Sequence, residues 1–129
     1  MSLKNYFDNA KGFGVISAAD KEGHVDSAIY SRPHVMDDGA IAFIMNDRLI
    51  HHNLQSNPRA AYLFREAGEG FKGKRLHLLK VREEKDSELL QQLKRRAYPD
   101  GNAPKGTKFL VFFSIEKELP LIGPGEEGD

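Results

Sequence analysis

Residues 27–64 read SAIYSRPHVMDDGAIAFIMNDRLIHHNLQSNPRAAYLF. Inside this stretch, Ala40 to Met45 is apolar without interruption, the pattern of a strand covered on both faces. Arg59 to Arg65 alternates instead, with Ala61, Leu63 and Arg65 opposite Ala60, Tyr62 and Phe64, as a strand with two different faces does. Between them, Arg48 to Ser56 sets Leu49 and Leu54 among polar residues and is stopped by Asn57-Pro58, which predicts a short bridging helix. Upstream, His24 to Arg32 reads as a strand with Val25 and Ile29 on one face, until Pro33 removes a ladder donor; Asp37-Asp38-Gly39 then turns the chain. Two strands, a polar connection rich in Arg, His and Asn, and a helix start together offer what a phosphorylated planar ligand requires: an anion grip and an edge of backbone amides. Arg32 and Arg48 are the natural cations; the alternative is that both are solvated on loops.

Outward from this centre the pattern repeats. Leu3, Tyr6, Phe7 and Ala10 recur at helical spacing behind Ser2 as N-cap, with Gly12 placed to end the helix in a left-handed conformation. Phe13, Val15 and Ser17 then alternate with Gly14, Ile16 and Ala18, and Asp20-Lys21-Glu22-Gly23 forms a hairpin turn. Beyond the glycine-rich segment 68–73, a strand is expected over Lys74 to Arg82. A helix follows from Asp86 or Ser87, carrying Leu89, Leu90, Leu93 and Ala97 on one side and ended by Pro99. Phe109, Val111, Phe113 and Ile115 alternate with Leu110, Phe112 and Ser114 in the last strand, Lys108 to Glu116, and the tail from Pro120 is expected to be mobile. About six strands, mostly hairpin-linked, with few helices, favour an antiparallel barrel over a doubly wound sheet, because closure hides strand edges.

At 129 residues the chain fits one domain, 1–129. Nineteen basic residues balance nineteen acidic ones, which disfavours a general binder of nucleic acid or anionic membranes. Zero cysteines exclude a disulfide framework, a thiolate metal site and a cysteine nucleophile. The longest apolar run is far short of the ~20 residues of a spanning helix, and the polar opening has no signal-peptide core, so a cytoplasmic protein is expected.

Other motifs read as structure. Gly68, Gly70 and Gly73 have dinucleotide-loop spacing, but a strand rather than a helix follows, so a hairpin loop is expected. His51 and His52 are adjacent and diverge by about 100 degrees on a helix, and His24, His34 and His77 lie on different strands, so no metal site is expected. Ser17, Ser27 and Ser31 lack a nucleophile elbow. The basic groups at Lys72, Lys74 and Arg75 and at Lys94, Arg95 and Arg96 are read as solvated faces or local anion contacts.

The opening YFDNAKGFGVISAADKEGHVDSAIYSRPHV, the strand AIAFIM and above all NLQSNPRAAYLF, residues 53–64, resemble the pyridoxamine 5′-phosphate oxidase-like, FMN-binding split-barrel family, in which Asn-Leu, then Asn-Pro-Arg and an apolar strand follow the phosphate-gripping loop. The likeness covers most of residues 3–116. It implies a mainly β (α+β) fold, a six-stranded antiparallel Greek-key split barrel with flanking helices. It also implies a homodimer with one FMN in each of two clefts at the subunit interface. By position, Ile29, Tyr30, Ser31 and Arg32 would run beside the isoalloxazine, Arg32 near its pyrimidine edge. Met45, Asn46, Asp47, Arg48, His51, His52 and Asn53 would surround the ribityl phosphate, and Lys74 and Arg75 would reach across from the neighbouring subunit.

Two departures narrow the expectation. The family's Ser-x-Lys phosphate triplet corresponds here to Arg48, Leu49 and Ile50, which lack the lysine; Arg48, His51 or His52 could supply the charge instead. The closing ELPLIGPGEEGD lacks the arginine-histidine segment of true pyridoxamine phosphate oxidases, which disfavours pyridoxamine phosphate as substrate. The reading is an FMN-dependent oxidoreductase taking a small-molecule substrate or a nicotinamide reductant, with no side chain identified as catalytic. The alternatives are a non-catalytic flavin- or haem-binding protein, or a cofactor-free dimeric scaffold.

Overall fold

The computed structural model describes residues 2–98, 100–101 and 106–124. In chain order the elements are α1 (Leu3–Asn9), β1 (Gly12–Ala19), β2 (Val25–Tyr30), β3 (His34–Val35), β4 (Ile41–Asn46), α2 (Leu49–Ser56), β5 (Arg59–Glu66), β6 (Gly73–Lys85), α3 (Glu88–Ala97) and β7 (Lys108–Pro120). All seven strands form one antiparallel sheet in the order β2-β1-β5-β6-β7-β4-β3. The two edge strands are also neighbours in sequence. Residues 31–33 join Tyr30 to His34, so the two edges lie within about 14 Å of each other, whereas seven strands laid flat would set them roughly 29 Å apart. The sheet must therefore curl round, leaving a split between β2 and β3. This is a mainly antiparallel split barrel with three flanking helices.

The strand additional to the expected six is β3, which resumes pairing after Pro33 as His34↔Ala42 and Val35↔Ile41. Helices α1 and α3 begin as their sequences require. Ser2 Oγ accepts from Asn5 N at 3.2 Å, and Ser87 Oγ accepts from Leu90 N at 3.1 Å. Gly12 does not end α1, whose C-cap is Ala10; it opens β1 where any Cβ would strike the Arg65 carbonyl. Gly68, Gly70 and Gly73 belong to the β5–β6 hairpin, as expected.

Alternation builds two apolar layers. Ile16, Ile41, Phe43, Met45, Tyr62, Phe64, Leu76, Leu78, Val111 and Phe113 fill the barrel, and Phe7 of α1 plugs its end. The opposite faces of β4 and β7, at Ala42, Leu110 and Phe112, are buried under Leu90 and Leu93 of α3. The second apolar face of β7 is thus covered within the chain. The uncovered apolar face lies elsewhere. Val15 pairs with Ile29 on one side and Leu63 on the other, and Ile29 and Leu63 remain 70% and 40% exposed. No helix is long and apolar enough to cross a membrane.

Candidate functional site

Where β2 leaves the sheet and β4 ends, a cleft of about 650 Å³ opens, within the ~300–1,000 Å³ typical of small-molecule sites. Four pieces wall it: the 30–34 link, the end of β4, the C-terminal turn of α3 and the start of β7, with Phe7 and Asp8 of α1 at one side. Phe43 and Ile44 give it an apolar surface. Arg32, Lys94, Arg96 and Lys108 give it positive charge, against a single carboxylate among the described residues, that of Asp8, and His34 adds an imidazole.

The register explains how these groups meet. Asn46 ends β4 directly opposite Lys108, the first residue of β7. Lys108 is 5% exposed, and its Nζ donates to Asn46 Oδ1. Its backbone is held too, since its N–H donates to Asp86 Oδ1 at 3.1 Å and its carbonyl accepts from Asp86 N at 3.0 Å. Burial, with Lys94 and Arg48 nearby, holds the Lys108 ammonium below its ordinary pKa. The same field acts on His34, whose pKa is lowered by burial and by Arg96 and Arg32, so a neutral imidazole faces the cleft at pH 7. Burial pushes the Tyr30 phenol up to about 12 although the Arg48 charge pulls the other way, so Tyr30 is a neutral hydrogen-bonding group.

Of the residues expected around a cofactor, the cleft gathers Tyr30, Ser31, Arg32 and Asn46. Arg32 is partly committed, since Nη1 donates to Phe7 O at 2.8 Å and Ala10 O at 2.6 Å and so holds the C-terminal carbonyls of α1. A guanidinium carries five N–H donors, so others remain. Ser31 offers its carbonyl to Tyr62 Oη at 3.1 Å.

The remaining candidates lie outside the cleft walls. Ile29 stands on the uncovered sheet face, and Met45 points into the barrel core. Asp47 and Glu83 flank buried His51 at 3.2 Å from Nδ1 and 3.0 Å from Nε2, and the imidazole stacks on Phe109 with centroids 3.8 Å apart. His52 is exposed on α2. Asn53 is 2% exposed, and its Nδ2 donates to Ala18 O at 2.9 Å and His24 O at 3.4 Å, pinning α2 to the β1–β2 hairpin. Arg48 is the exposed N-cap of α2, makes no side-chain cap bond, and is close enough for its charge to act on Tyr30 and Lys108. Lys74 pairs with Glu118 at 2.7 Å and lies 4.8 Å from the Tyr6 ring centroid. Arg75 donates to the carbonyls of Pro120 at 2.8 Å and Gly123 at 2.5 Å, tying down the start of the tail; residues 125–129 lie outside the described part.

Sequence reasoning missed Lys108 and passed over Lys94 and Arg96. A lysine before an apolar run carries no signal until the β4–β7 register is known, and three basic residues at a helix end are what the helix dipole favours on any surface. Among the described residues, no group of three or more His, Asp or Glu side chains is placed to hold a metal ion.

No protein-family model and no curated protein sequence matches the chain. Solved structures do. An FMN-binding protein from Syntrophomonas wolfei subsp. wolfei superposes with a TM-score of 0.75 at 18% identity, over 94% of this chain and 84% of that one. HutZ, a haem storage protein from Vibrio cholerae, gives 0.68 at 14% identity, over 93% and 95%. A candidate pyridoxamine 5′-phosphate oxidase from Listeria innocua gives 0.67 at 12% identity, over 91% and 93%. With the strand order and the split between β2 and β3, these likenesses show that the chain has the pyridoxamine 5′-phosphate oxidase-like split-barrel fold.

Proposed function

We propose that the protein is an FMN-dependent oxidoreductase, a cytoplasmic homodimer that passes electrons between a nicotinamide reductant and a small-molecule substrate. The observation that carries this reading is the cleft beside the split, which sets an apolar wall at Phe43 and Ile44 next to a cluster of cations. A flat ring needs the first, and anionic groups bound beside it need the second. The FMN-binding protein of the same fold supports the choice of cofactor. FMN supplies the hydride chemistry when bound, and the protein supplies position and electrostatics. Arg48, free of any cap bond, would hold the phosphate. The unused N–H donors of Arg32 would stabilise negative charge at the ring, and neutral Tyr30 would orient it by hydrogen bonding. Zero cysteines suit a reducing compartment. Exposed Ile29 and Leu63, in one cross-strand row with Val15, supply an apolar patch for subunit pairing.

The test is the absorption spectrum of the purified protein, followed by an FMN titration of Arg48→Ala. Charge-assisted bonds of ~1.5–3 kcal/mol correspond to a loss of affinity of about tenfold to a hundredfold. Unchanged affinity refutes the assignment of Arg48. A second reading, a haem-binding protein without turnover, is favoured by one observation: His34 presents a neutral imidazole, the form that ligates iron, in the same cleft. A Soret band abolished in His34→Ala would select it over the flavin reading.

A further inference from the structure

Three cations of the cleft have no counter-charge among the described residues. Lys94 and Arg96, one on each side of Arg95 in the last turn of α3, and Lys108 of β7 make no ion pair among the described residues. The helix dipole accounts for basic residues at the end of α3. It does not account for Lys108, which comes from another element and is 5% exposed. A lysine residue this little exposed is ordinarily paired with a carboxylate, and among the described residues the Lys108 ammonium meets one neutral amide oxygen, that of Asn46. Its surroundings repel it further, since Lys94 and Arg48 both disfavour its charge, and Arg96 and Arg32 do the same to His34. The one carboxylate among the cleft's described residues, that of Asp8, is exposed. Two separate groups thus register an uncompensated positive potential in one concave space.

We propose that Lys94, Arg96 and Lys108 bind an oxyanion, the carboxylate or phosphate group of the substrate, at a position separate from the Arg48 grip on the flavin phosphate. That the oxyanion belongs to a substrate rests on the flavin reading; the anion site itself does not. An oxyanion there would give Lys108 the counter-charge that Asn46 cannot, and Lys94 and Arg96 of α3 would bond it from the other side. The oxidoreductase would then select small anionic substrates.

The experiment is calorimetric titration of the flavin-free protein with inorganic phosphate and, separately, with acetate, against chloride at matched ionic strength. The expected result is saturable binding that falls about tenfold or more in the double variant Lys94→Gln/Arg96→Gln. These residues sit at the surface end of α3, so the variant should keep the wild-type melting temperature; Lys108→Met serves as the buried counterpart. The tighter of the two anions names the group. Repeating the FMN titration in saturating phosphate should leave FMN affinity unchanged. No saturable binding overturns the proposal. So does equal binding by wild type and double variant, which means an adventitious ion only. Competition between phosphate and FMN also overturns it, because the cluster would then be the flavin's own phosphate grip. A protein that binds phosphate through these residues and takes up no FMN keeps the anion site and removes the flavin reading instead.

Discussion

Replacing Asn53 by Ala separates a structural role from a cofactor role at one position. The Asn53 amide is 2% exposed and donates to Ala18 O at 2.9 Å and to His24 O at 3.4 Å. The His24 carbonyl keeps a second donor, Asp20 N at 3.1 Å, so its loss is small. The larger cost falls on the shorter bond to Ala18 and on the polar volume left empty between α2 and the hairpin. A buried hydrogen bond removed from one side costs about 1–3 kcal/mol, and we take ~2 kcal/mol for this variant. For a domain of this length that lowers Tm by roughly 6–10 °C. Urea denaturation followed by circular dichroism measures the free energy, with the slope m checked for constancy. Asn53→Asp should be worse at neutral pH, since it turns a carboxylate toward a carbonyl oxygen, and should recover as the solution is acidified. FMN affinity of the folded Ala variant should stay within about twofold of wild type, because this amide faces the hairpin and not the cleft. Loss of flavin affinity with stability unchanged within about 0.5 kcal/mol would refute the reasoning and return Asn53 to the phosphate site.

Glu83 is pushed up by partial burial, yet hydrogen bonds from Lys80, Gln55 and His51 outweigh this and bring it down to about 2 from its ordinary 4.5. A depressed carboxyl contributes stability that is complete above its unfolded value and is lost as the pH falls from 4.5 toward 2; for a side chain 24% exposed we take about 2 kcal/mol. Glu83→Gln should flatten the denaturation free energy across that window, and an unchanged acid limb counts against the network. Leu90→Ala, at a site with no exposure beneath α3, should cost about 2–5 kcal/mol by urea denaturation and weaken anion binding as the basic turn of α3 loses its seat. Arg32→Ala should speed amide exchange at the C-terminal turn of α1, whose Phe7 and Ala10 carbonyls it holds, while the barrel strands stay protected; a uniform effect, or none, would show that Arg32 does not anchor the helix.

Local chemistry made much of the fold legible. The unbroken apolar run of β4 announced burial on both faces, and the structure supplies the two layers, barrel core and α3. Ser2 and Ser87 marked helix starts because a hydroxyl can accept from the first-turn amides wherever the helix packs. The site was legible only in part. Tyr30, Ser31, Arg32 and Asn46 reach the cleft, while His51, read as a phosphate contact, is buried between Asp47 and Glu83, a partner 32 positions away. Two-residue β3 escaped notice because one pair of residues carries no period.

By itself, then, the sequence determined the six longer strands, where the helices begin, and that a curled antiparallel sheet is the economical way to pair them. Periodicity and capping are properties of neighbours in the chain and need no partner to be read. Only the tertiary structure decided which charges share a space. The β4–β7 register sets Lys108 against Asn46 across 62 residues, and burial of Leu90 and Leu93 carries the basic turn of α3 to the same cleft. Electrostatic potential depends on distance in space, and that distance is fixed by strand register and helix docking rather than by separation along the chain.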